Sequence, residues 1–147
     1  MGGHPYWYKV DYQADAGAAL SALRKREFEA GRYNPVIRYL TFPIGPESPA
    51  PGAAHESIEE AIEAADTDGT RSILDIDSIS DEPDFGASCA VSEDELMELF
   101  DTTKPTVDQV LNCDEFWDSL ERGQARHVVI FDADGSRHLF FVGYSYD

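Results

Sequence analysis

Residues 126–146, RHVVIFDADGSRHLFFVGYSY, decide the fold. Two apolar runs, RHVVIFD (126–132) and RHLFFVGYSY (137–146), flank ADGS, so they read as a β-hairpin. Neither run alternates polar with apolar residues. Both are apolar on both faces, which places them near the middle of a sheet covered on its two sides.

Two strands alone cannot bury such faces, so the remaining strands and helices must supply the cover. At the other end of the chain, PYWYKVDY (5–12) puts Tyr6, Tyr8, Val10 and Tyr12 on one face of a strand by period-2 alternation. DAGAALSALRKREFEAG (15–31) reads as a helix, with Asp15 as its N-cap and Gly31 just past its end. Ala16, Leu20, Leu23 and Phe28 form its apolar stripe, and Arg24, Lys25 and Arg26 a basic patch. NPVIRYLTFP (34–43), opened and closed by prolines, predicts a second strand. Residues 44–55, IGPESPAPGAAH, are a Pro/Gly-rich loop, either a lid or a surface connection.

In the middle of the chain, Ser57 and Glu60 form a capping box that opens a short helix. SILDIDSI (72–79) predicts a strand with Ile73, Asp75, Asp77 and Ile79 on one face, the two Asp side chains about 7 Å apart. DEPDFG (81–86) is a turn and ASCAV (87–91) a short strand. A second capping box, Ser92 with Glu95, opens the helix SEDELMELF, and KPTVDQVL and DEFWDSLERG add two short helices. The order β-α-β-α-β-β-α-α-α-β-β lacks the strict alternation of a doubly wound fold. It predicts a single α+β domain over residues 1–147, a mixed or antiparallel sheet with several short helices packed on it.

Charge is distributed unevenly. The chain has a formal net charge of −18. Residues 56–122 hold 21 Asp/Glu against three Lys/Arg, whereas residues 1–55 hold five against six. A high-salt cytoplasm favours acidic surfaces everywhere rather than on one segment. Such a field repels nucleic acid and anionic membrane and attracts cationic proteins or metal ions. No apolar run is long enough to cross a bilayer, and the N-terminus does not read as a secretory signal, so a cytoplasmic location is the default. Asp over Glu, Arg over Lys and abundant Ala suggest a high-GC bacterial or archaeal source.

Motifs for nucleophilic catalysis and phosphate binding are absent from the sequence. There is no G-x-S-x-G and no Gly-rich phosphate loop. Asp66-Thr67-Asp68-Gly69 places Gly too early for an EF-hand. Cys89 and Cys113 stand alone, which disfavours zinc and reads as two buried thiols, with one disulfide between them as the alternative. No cofactor is predicted. His127 and His138 flank the hairpin as cross-strand neighbours.

Three functions remain open on these residues. In the preferred one, a non-enzymatic module docks a basic protein through Asp75, Asp77, Asp81, Asp84, Glu93 and Asp94. Immunity proteins and antitoxins that inhibit nucleases are similar in size and charge. The alternative is a small carboxylate enzyme or ligand-binding domain, with Mg²⁺ on the Asp pair and Arg32, His55 and Arg71 contacting the ligand. The third is a scaffold domain whose acidity only keeps it soluble. The Tyr, Trp and Phe residues of the terminal strands would imply a homodimer if a surplus lay on a second sheet face.

Overall fold

The structure, a computed structural model, describes residues 3–146. It is an α+β fold built on one open, mixed sheet of five strands in the order β1-β5-β4-β3-β2. β1 (Pro5–Asp11), β5 (Arg137–Tyr144) and β4 (Ala125–Phe131) are antiparallel neighbours, while β4, β3 (Ala87–Ala90) and β2 (Ser78–Ser80) run parallel. The β4–β5 hairpin sits inside the sheet as its apolar faces require.

Each face of the hairpin feeds a separate core. On one face, Tyr6 and Tyr8 of β1, Ala125 of β4 and Leu139 and Phe141 of β5 pack with α1 (Ala16–Ala30), which buries Ala19, Leu20 and Leu23. On the other, Val128, Ile130, Phe140 and Val142 meet α3 (Glu93–Phe100), α4 (Val107–Leu111) and α5 (Asp114–Asp118) through Leu96, Phe100, Val110 and Phe116. The connection through α3–α5 carries the chain from β3 to its parallel neighbour β4, as a parallel pair needs. α2 (Ile58–Ala65) packs Ala61 on Tyr33 and Leu74 in a smaller third cluster.

The caps follow the sequence. Asp15 accepts the Ala18 N–H at 3.0 Å, and Gly31 closes α1 in the left-handed region at φ 74°. Ser92 and Glu95 form a complete capping box, and Thr106 and Gln109 form another on α4. Ser57 caps α2, but Glu60 reaches the Glu56 N–H instead of that of Ser57.

Two predicted strands are corrected. Residues 34–43 form turns, not a strand. Asn34 directs its backbone N–H to the Thr70 carbonyl and its side-chain amide to the Gly69 carbonyl, both at 2.8 Å. The Ile37 N–H closes a turn on Tyr33, and Pro35 and Pro43 have no N–H to give a ladder. Residues 72–79 contain a 3₁₀ turn over Ile73–Asp75, and only Ser78–Ser80 joins the sheet. The Asp75 carboxylate accepts the Thr70 N–H at 3.0 Å and its hydroxyl at 2.7 Å, and Ser72 accepts the Leu74 N–H. These local side-chain bonds outcompete a ladder. The paired-Asp strand face therefore does not exist. His127 and His138 are not partners either: His127 lies opposite Phe141 and His138 opposite Ile130.

The two sheet edges differ. Along β1, Phe42 packs on Trp7 and Tyr8, so residues 42–45 cover that edge. Among the described residues β2 pairs only with β3, which leaves its outer side without a strand partner.

Candidate functional site

The open edge collects most of the predicted contact acids. Asp77 precedes β2, and Asp81 and Asp84 lie in the segment joining β2 to β3; all three are exposed. Ser80 pairs with Cys89, so Asp81 leaves the sheet at the end where the chain turns into α3. Glu93 and Asp94 stand exposed in the first turn of that helix, which an N-terminal dipole favours. None of these five makes an ion pair among the described residues. Exposed apolar groups lie in the same stretch: Ile79 on β2 and Phe85, which is 63% exposed with its ring tilted against Tyr146. Asp75 departs from the group. It is half-buried and turned onto Thr70.

The three ligand candidates occupy separate networks. Arg32 is buried and holds the fully buried carboxylate of Glu27 with a two-pronged bond, Nε to Oε1 and Nη2 to Oε2, each 2.7 Å. Arg26 adds a third bond to Oε2 at 2.8 Å. The Glu27 bond raises the Arg32 pKa further, so the guanidinium is always charged. His55 shares a 2.8 Å hydrogen bond between its Nδ1 and the buried Tyr33 hydroxyl, which also accepts the Ala54 N–H. It pins the end of the Pro/Gly-rich loop. The Arg71 guanidinium lies over the Tyr39 ring at 5.0 Å and donates to the Arg38 carbonyl.

Among the described residues, no three His, Cys, Asp or Glu side chains are grouped to hold a metal ion. Both cysteines are free thiols, Cys89 buried and Cys113 half-buried. No helix among the described residues is long and apolar enough to cross a membrane. The aromatics of the terminal strands are largely core: Tyr6, Tyr8, Phe140 and Phe141 are buried.

The burial of three polar groups escaped the sequence reading. Glu27 was signalled by its place on the α1 stripe, four positions after Leu23, where an apolar residue is due. Arg126 bonds the Cys89 and Ala90 carbonyls and the Glu95 carboxylate at 2.7 Å, which holds the Glu95 pKa below the ordinary carboxylate value. It thus ties β4 to β3 and α3. The third is His127, whose Nδ1 shares a 2.8 Å hydrogen bond with the buried Ser88 hydroxyl.

His127 carries a pH consequence. Burial, and then the Arg126 charge, hold its pKa down at about 4 from an ordinary 6.5. The folded state keeps the ring neutral while the unfolded chain protonates it. Its stabilising contribution is therefore complete above pH 6.5, falls as the pH drops below that, and is gone below about 4. The slope inside this window is on the order of 1 kcal/mol per pH unit. Urea unfolding at pH 7 and pH 5 measures it, and His127→Asn is expected to flatten the difference relative to the native protein.

No protein-family model, no curated protein and no solved structure matches this chain, so its function must be argued from the residues themselves.

Proposed function

We propose that the protein is a docking module for a cationic protein, and that the partner seats on the β2 edge. The observation that carries this reading is the open strand Ser78–Ser80, flanked by the exposed carboxylates of Asp77, Asp81 and Asp84, none of them in an ion pair among the described residues although Asp77 lies in the field of Arg24, with Ile79 and Phe85 exposed among them. Carboxylates steer a basic partner over a Debye length of about 8 Å at physiological salt. Phe85 and Ile79 supply apolar anchor area inside a charged rim, the anatomy of a protein interface. Glu93 and Asp94 extend the rim beyond the end of β3. Inhibition of a basic enzyme, as an immunity protein or antitoxin does, is one use of such a surface.

The open edge favours a second reading. Charges beside an unpaired strand also prevent edge-to-edge association of identical chains. One comparison separates the two. Asp77→Asn/Asp81→Asn/Asp84→Asn removes three charges at the edge, and Glu59→Gln/Glu60→Gln/Glu63→Gln removes three from α2. Capture from an extract of the source cell at about 50 mM and about 500 mM NaCl is followed by association kinetics with the recovered protein. Docking predicts a basic partner whose association slows with salt and slows at least about tenfold in the edge variant, with little change in the α2 variant. Neutral or acidic partners, or equal slowing in both variants, would refute an edge site. If the acids only guard the edge, the edge variant gains self-association and loses no partner.

A further inference from the structure

A cavity of about 280 Å³ lies along the opposite edge of the sheet, between β1 and the segment Pro43–Gly45. Its charged lining is cationic, in a molecule of net charge −18: Lys9, Arg26 and Arg32 reach it. Trp7, Ile44 and Phe140 supply apolar wall. We propose that this cavity binds a small monoanionic carboxylate with an apolar or aromatic body.

Geometry sets the ligand's charge. Glu27 engages Arg26 through Nε and Arg32 through Nε and Nη2, while Asp132 holds the Lys9 ammonium at 3.1 Å. Three cations against two carboxylates leave one positive charge, which one carboxylate matches. A dianion would be overcompensated here and repelled by the rest of the molecule. Unspent donors set the headgroup. Arg32 Nη1 and both terminal nitrogens of Arg26 make no hydrogen bond to the protein among the described residues. Planar guanidinium donors are matched to the two oxygens of a carboxylate. Glu27 acts as a positioning residue: it locks the Arg32 fork, so little rotamer entropy is lost when a ligand arrives. The cavity volume is at the lower end of ligand pockets, enough for one ring and a short chain. The site lies on the covered β1 edge and is independent of docking at β2.

The probe is 3-phenylpropionate, with 3-phenylpropanol as its neutral counterpart. Both are titrated into the ¹⁵N-labelled protein while the Trp7 indole N–H and the Arg26 and Arg32 Nε–H resonances are followed. The carboxylate is expected to shift these three saturably below about 10 mM, and the alcohol to bind at least about tenfold more weakly. Arg26→Gln is expected to weaken the carboxylate at least about tenfold. Arg26 is half exposed, so this change leaves the Arg32–Glu27 fork in place. Absence of a saturable shift, equal binding of acid and alcohol, or an unchanged dissociation constant in Arg26→Gln would overturn the assignment.

Discussion

Glu27→Gln is expected to destabilise the protein by about 3–5 kcal/mol, the cost of removing one partner from a buried ion pair. Glu27 is fully buried and receives three charge-assisted bonds, two from Arg32 and one from Arg26. The amide keeps one acceptor oxygen but presents an NH₂ to a guanidinium that is itself all donors. Arg32 is then left charged and buried without compensation. For a chain of this size the loss corresponds to a fall in Tm of roughly 10 °C, read by thermal unfolding. The reverse experiment is as informative. Glu27→Leu/Arg32→Met removes both charges and replaces them with apolar volume, so it is expected to recover most of the lost stability. A pair that stability alone does not require is better explained by the donor it presents. The double variant should therefore fold, yet lose the carboxylate.

Gly31→Ala is expected to cost roughly 2–5 kcal/mol, from two additive sources. Gly31 ends α1 at φ 74°, a conformation that costs any residue with a Cβ about 1–2 kcal/mol. A Cβ there would also clash with the Gly52 carbonyl oxygen, a backbone atom that cannot swing aside. The loop would have to leave α1 and give up the Gly52 N–H bond to the Ala30 carbonyl. Because the same loop begins at the cavity wall, the variant should loosen residues 43–52 as well as lower Tm. Chemical denaturation gives the first effect, and amide hydrogen exchange at Gly45 and Gly52 gives the second. A loss below 1 kcal/mol with unchanged exchange would mean that the α1–loop contact is dispensable.

What the sequence could and could not disclose follows from where each element's bonds go. The hairpin, β1, α1 and α3–α5 are legible because their periodicity and caps are local. Asp15, Ser92 and Gly31 do what their positions suggest. Residues 34–43 and 72–77 defeat the reading because both are held by long-range or side-chain bonds: Asn34 to Gly69 and Thr70, Tyr33 to His55, Asp75 to Thr70. An apolar run bounded by prolines looks the same whether its N–H groups meet a strand or a distant carbonyl. The misread strand also carried the Asp75–Asp77 pair, and the carboxylate-metal idea loses its geometry with it. The acid list fared otherwise at the candidate surface. Asp77, Asp81, Asp84, Glu93 and Asp94 are all exposed around the β2 edge, Asp77 and Asp84 at the end where β2 and β3 begin and Asp81, Glu93 and Asp94 at the end where they stop, while Asp75 is spent on a turn. Arg32 was legible as an anion-binding candidate, but its reason was not. Glu27 lies five positions earlier in a helix whose sequence reads as amphipathic, and nothing in one dimension shows the two meeting inside the protein.

Charge segregation is the physical basis of the proposed function: an acidic edge at β2, and a covered edge at β1 where Lys9, Arg26 and Arg32 are gathered. Amide hydrogen exchange of the protein alone and bound to its captured basic partner tests this most directly. The account predicts slowed exchange at residues 77–85, centred on Ser78–Ser80, with the 38–49 segment unchanged. Protection confined to the 38–49 segment and β1, with residues 77–85 exchanging as in the free protein, would contradict it.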